Sequence, residues 1–251
     1  MSLWSWIPHD GCICQHILTP ASRYGTRQEV LSMDSLCAVV LLSHKYQMDR
    51  LLAQAISHLT EYYTDDFDTW SKPDRQTCLK PERIDAITAV SIAKITDTPS
   101  ILPMAFLDLC FAGSAVLDGR PCGDAHYRNM LDLPDMKRLF DGKAAVLEHT
   151  SKAIRRIFAP DKSEDCAATY RCQRALDERA GAFDDLLEDA TTAGMGRIWV
   201  EEFRDEVRGG WKLCKQCVEM VDARDKEERR AFWDALPDMF DLPLEGWGTS
   251  T

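Results

Sequence analysis

Four cysteines in the C-terminal third are the residues whose type and spacing most invite chemistry. Cys166 and Cys172 are separated by five residues, and Cys214 and Cys217 form a C-x2-C pair. Four thiolates can hold zinc tetrahedrally and tie two helices together. Against that stands the first spacing, which is not that of a standard knuckle. Two cysteines one helical turn apart also often just face a neighbouring helix. Packed thiols are therefore the preferred reading of Cys166, Cys172, Cys214 and Cys217, and a zinc centre is the alternative. A thioredoxin-like redox role would need a βαβ context that this sequence lacks. No other cofactor is expected.

The remaining chemistry is thin. Asp184-Asp185 and Glu188-Asp189 form an acidic cluster at helical spacing, which could serve acid–base or metal chemistry. In a chain with 41 acidic residues, a solvated face is the better reading. Of the six histidines, His44 and His58 lie on helical segments, with nothing in the local sequence marking either as a ligand. No glycine-rich phosphate loop, His-Glu-x-x-His or Gly-x-Ser-x-Gly motif occurs. The chain is accordingly read as non-enzymatic. A site assembled from dispersed residues, with the acidic cluster as its handle, is the least favoured reading.

Charge and composition narrow the partners. The formal charge is -11, which repels phosphate backbones, so nucleic acid is not expected. No run of 18 apolar residues exists, so no membrane span is expected either. The opening residues lack a basic region followed by a continuous apolar stretch, so a signal peptide is not expected. Ten cysteines then read as thiols in a reducing compartment, cytoplasm or nucleus. Cys37 and Cys110, set in apolar helical patterns, read as small buried hydrophobes.

The elements that must position these residues are helical. Ser32 is the predicted N-cap of a first helix, with Asp34 in its first turn and Leu36, Val39, Val40 and Ser43 on one face. A break at Gln47-Met48-Asp49 leads to a second helix through Leu51, Leu52, Ala55, Ile56 and Leu59, and the short connection predicts a hairpin. A polar loop follows over 65–80. Pro81 opens a helix with Ile84, Ile87, Ser91 and Ile95, which stops before Thr98-Pro99. A helix from Ser100 to about Ala112 is apolar nearly all round and should be central to the core. Residues 113–129 read as loop. Pro134 opens a region ending at Pro160, with Leu139, Phe140, Val146, Leu147, Ile154, Ile157 and Phe158 apolar and Gly142 dividing it. Cys166 to Ala190, Ile198 to Val207 and Trp211 to Leu236 complete the helices. The run Arg224 to Arg230 reads as a solvated face, and Pro237 and Pro243 end the regular structure. Alternation of strand type is nearly lacking. The expected fold is mainly α with little or no sheet. Its segments are an irregular 1–30, a hairpin over 31–75, a helical extension over 80–160 and a C-terminal block with the cysteine pairs over 161–247.

The stretch from Ser32 to Leu59, with its Lys45-Tyr46 turn and a following helix through Leu51, resembles the closing helical hairpin of a BTB/POZ domain. Ala89 to Cys110, Leu213-Cys-Lys-Gln-Cys217 and Phe232 to Pro243 resemble the C-terminal extension of BTB proteins of mushroom-forming fungi, in the same order. The resemblance implies a protein-interaction module, acting as an adaptor or scaffold, with protein partners and a cullin-type ligase where a BTB core is present. A whole BTB fold carries a mixed sheet and further helices before this hairpin, and 30 residues do not suffice for them. The expectation is thus an N-terminally truncated BTB protein. A hairpin deprived of its usual neighbours should leave Leu36, Val40, Leu52 or Ile56 on a partly uncovered, protein-binding patch, unless the N-terminal segment covers it.

Overall fold

A computed structural model describes residues 31–72, 77–122, 128–181, 183–184, 187 and 213–248. The protein is mainly α-helical, with nine α-helices and a two-stranded ribbon among the described residues. The chain divides into two compact units, one of Met1–Tyr62 with Gln76–Pro81, the other of Tyr63–Arg75 with Glu82–Thr251.

In the first unit, α1 (Met33–Lys45) and α2 (Asp49–Tyr62) form the predicted hairpin. Ser32 caps α1 by accepting the Ser35 backbone N–H at 3.2 Å. Leu36, Val39, Val40 and Ser43 are all buried, as their spacing requires. The turn has a local cause. Gln47 adopts φ 54°, its N–H bonds the His44 carbonyl, and the Met48 N–H bonds the Ser43 carbonyl at 2.9 Å. This is a Schellman cap with glutamine in the left-handed position that glycine usually takes. A parallel bridge between Leu31 and Leu79 adds the 77–81 segment to this unit. Of the four residues expected on the hairpin patch, two are covered and two are partly exposed. Leu36 and Val40 are 0% exposed, because they lie on the same inward stripe as Met33 and Ser43; Leu52 and Ile56 are half-buried.

The second unit begins with α3 (Phe67–Trp70). Then come α4 (Ala86–Ile95), entered by a 3-10 turn at Arg83–Asp85, and α5 (Leu102–Cys110), entered by one at Pro99–Ile101. Pro103, Met104, Ala105, Phe106, Leu107, Leu109 and Cys110 of α5 are all buried, so this helix is central as expected. Burial pushes the Cys110 thiol up to about 12. Cys37, in α1, is only half-buried. The 113–129 segment is more than loop. It holds α6 (Ala115–Asp118) and the ribbon β1 (Arg120–Pro121) with β2 (Arg128–Asn129). Two-residue strands are too short for any alternation to show in sequence.

Two long helices complete the unit, α7 (Leu133–Ile157) and α9 (Lys215–Met239), packed along each other, with α8 (Thr169–Gly181) between them in sequence. Asp132 caps α7, accepting the Asp135 N–H at 2.9 Å. Gly142 does not divide α7. It is the place where the Phe240 ring lies directly on the helix; a Cβ there would run into Phe240 Cδ1 and Cε1 and lie 3.0 Å from the Met239 carbonyl oxygen. Phe140, counted among the apolar positions, is 56% exposed. Pro237 does not end α9 either. It sits in the last turn, where its missing N–H frees the Trp233 carbonyl, and the Trp247 indole N–H donates to that carbonyl at 2.8 Å.

The charged run on α9 is only partly a solvated face: Lys226, Glu227 and Arg230 are exposed, and the rest are covered or half-covered. Asp225 is buried, Arg224 donates to the Ala159 carbonyl at 3.1 Å, and Glu228 pairs with Arg156 at 3.2 Å. Arg229 and Arg230 lie over the Trp70 and Phe67 rings at 5.3 and 5.1 Å. The cause is that α9 is covered by α7 and by the α3 turn, whose Phe67 meets Trp233 edge-on and whose Trp70 stacks on Phe232. The expected helix at Ile198 to Val207 lies outside the described residues.

Candidate metal centre

The four C-terminal cysteines meet at one point of the second unit. Cys166 lies in the turn before α8, and Cys172 in the first turns of that helix. Cys214 is the N-cap of α9 and Cys217 lies in its first turn. The C-x2-C pair therefore sits at the positive end of a helix, a place that favours thiolates. All four sulfurs lie within 4.8 Å of one another, with Cys172, Cys214 and Cys217 buried and Cys166 half-buried. Ala168 and Leu213 pack against them.

The spacing has a chemical meaning. Zinc–sulfur bonds of about 2.3 Å in a tetrahedron set sulfur–sulfur separations of about 3.8 Å. The Cys166 and Cys214 sulfurs are 3.8 Å apart. A disulfide would bring them to about 2.05 Å, and all four are free thiols. The Cys214 N–H donates to the Cys172 sulfur at 3.2 Å, the kind of outer hydrogen bond that orients and stabilises a metal-bound thiolate. Electrostatics divide the four. Burial pushes Cys217 up to about 12 and raises Cys172, with neighbouring thiols adding to both. For Cys214 burial acts the same way, but backbone N–H groups of Cys217 and Ala167 and the adjacent thiols outweigh it, bringing it down to about 6. A thiolate beside two reluctant thiols is a cluster whose full ionisation calls for a cation. The arrangement could hold a metal ion through four sulfur ligands, with no position left open for substrate.

No family model, curated protein or solved structure matches the chain.

The other sequence candidates are scattered. His44 is exposed at the end of α1. Asp184 is exposed, while Asp185, Glu188 and Asp189 lie outside the described residues. His58 is a different matter, since the structure brings to it the partners that its local sequence did not suggest. Glu61 Oε2 lies 3.9 Å from His58 Nδ1, and Cys78 joins them, all three donor atoms lying within 4.8 Å of one another. The His58–Glu61 half was legible as an i,i+3 pair on a helix. Cys78 was not, because it arrives through the Leu31–Leu79 bridge. Among the described residues, no helix is long and apolar enough to cross a membrane.

Proposed function

We propose that this chain is a non-catalytic, helical protein-interaction module of the BTB/POZ type, whose C-terminal helices are tied by a structural zinc ion. The observation that carries the zinc reading is the convergence of Cys166, Cys172, Cys214 and Cys217, with a sulfur–sulfur distance that suits a tetrahedral shell. Softness of the donors favours zinc over magnesium or calcium, and a closed four-sulfur shell favours a structural over a catalytic role. Zinc would join the turn before α8 to the N-terminus of α9 and remove the repulsion of gathered thiolates.

The interaction role is supported by where the family-like segments fall. The Ser32 to Leu59 stretch is the α1–α2 hairpin, and Ala89 to Cys110 is the α4–α5 pair. The half-exposed Leu52 and Ile56 are its docking residues in this reading, with Leu36 and Val40 behind them as support.

Metal analysis of the purified protein tests the zinc reading. One tightly held zinc per chain is expected, lost on Cys217→Ser, with unfolding at lower denaturant after chelation. Protein free of zinc that folds as well with chelator as without it ends that reading. Quantitative affinity purification with Leu52→Glu as control tests the interaction role: a partner retained by the wild type and lost by the variant supports it, and identical profiles oppose it.

A further inference from the structure

We propose that His58, Glu61 and Cys78 form a second, open metal site in the first unit, taking a zinc-like divalent cation with water in the fourth position. The donor set is an imidazole nitrogen, a carboxylate oxygen and a sulfur, brought within 4.8 Å of one another. This N/O/S combination suits zinc and its first-row neighbours, and three protein ligands leave one position for solvent.

The placement of each donor has its own cause. His58 and Glu61 stand at i and i+3 on α2 and so share a face. Cys78 is delivered by the 77–80 segment, held by the Leu31 N–H bond to the Cys78 carbonyl at 2.9 Å and by the Thr77 hydroxyl bond to the Leu79 carbonyl at 2.7 Å. The backbone on both sides of the thiol is thus fixed independently of any metal. The imidazole nitrogen that faces Glu61 is Nδ1, and it stands 3.9 Å from the carboxylate, beyond hydrogen-bond range, a separation that a shared cation would bridge. The half-buried setting of His58, Glu61 and Cys78 lets ions enter from solvent. The site therefore differs from the four-cysteine centre: it is open, exchangeable and suited to sensing metal, where the other is closed.

Cobalt titration of the full chain, first given one equivalent of zinc to fill the four-cysteine centre, reads the site directly. A sulfur-to-cobalt charge-transfer band is expected to grow with added Co2+ in the wild type. It should vanish in Cys78→Ser and need about tenfold more cobalt or beyond in His58→Gln and Glu61→Gln. Circular dichroism of each variant separates site loss from unfolding. A wild type with no band, or a band unchanged in both Cys78→Ser and His58→Gln, overturns the proposal. The Cys78 dependence also keeps it distinct from the C-terminal cysteines. If those hold no zinc, cobalt entering them gives a band that Cys78→Ser leaves in place, and only the Cys78-dependent part counts here.

Discussion

Replacing Gly142 with alanine should destabilise the protein, although helix propensity alone says the reverse. In a helix interior, Gly→Ala is worth about 1 kcal/mol in favour of alanine. At this position the new methyl would meet the Phe240 ring, and its other neighbour is the Met239 carbonyl oxygen at 3.0 Å, which is backbone and cannot swing aside. Nor is the ring free to move, since Phe240 is fully buried and stacks on Phe106 with centroids 5.4 Å apart. Overpacking of this kind costs about 1–3 kcal/mol. With backbone involved, the upper half of that range applies, and Gly142→Ala should lose about 1–2 kcal/mol net. Phe240→Ala alone should lose about 3–5 kcal/mol. In the Phe240→Ala background the ring is gone and only the Met239 carbonyl remains, so Gly142→Ala should fall to near neutral, the helix-propensity gain of about 1 kcal/mol offsetting the residual contact. Urea unfolding of the four proteins, compared by midpoint at constant slope, measures the cycle. A stabilised single Gly142→Ala variant, or equal effects in both backgrounds, would refute the account of why glycine stands there.

Three further outcomes are expected. Trp247→Phe keeps the ring stacked on Trp233 but strands the Trp233 carbonyl opposite Pro237; it should cost about 1–3 kcal/mol in urea, and much less once Pro237→Ala restores an N–H there. Asp132→Ala should remove the α7 cap for about 1 kcal/mol, with Asp132→Asn milder. Asp132 also sets an acid limb. Burial would raise its carboxyl, but the Asp135 N–H and Lys94, whose ammonium is 2.9 Å away, hold it below its ordinary 3.8. A depressed carboxyl contributes stability above pH 3.8 and loses it as pH falls through the folded value, so the Asp132→Asn variant should lose less stability than the wild type across that acid range.

Much of the fold was legible because its signals are local. The Ser32 cap, the inward stripe of α1, the break at Gln47 and the all-round apolar α5 each follow from a few adjacent residues. What was not legible depends on distant partners. Gly142 and Pro237 look like helix breakers until Phe240 and Trp247 supply the reasons for them. The Arg224 to Arg230 run looks wholly solvated until α7 and α3 engage Glu228 and Arg229. At the cysteine site the sequence named the four residues that the fold brings together. That Cys214 is a cap and that the pair opens α9 was not legible, because the helical pattern runs on from Trp211. Cys78 could not have been paired with His58 from the sequence, because the bridge that joins them has no local signature.

The helix ends carry one more consequence. Besides Gln47, the residues Asp97 and Asp241 take positive φ one place beyond the caps of α4 and α9, and the N–H groups of Thr98 and Leu242 reach back to Ala93 and Pro237. The same six-residue closure therefore turns the chain three times without a long loop. The α1–α2 and α4–α5 pairs join neighbours in sequence, so little loop entropy opposes their formation and they are the parts able to form first. The pairing of Gly142 with Phe240 spans nearly a hundred residues and must wait. Damage to the turns should thus slow folding, while damage to the α7–α9 seam should mainly quicken unfolding.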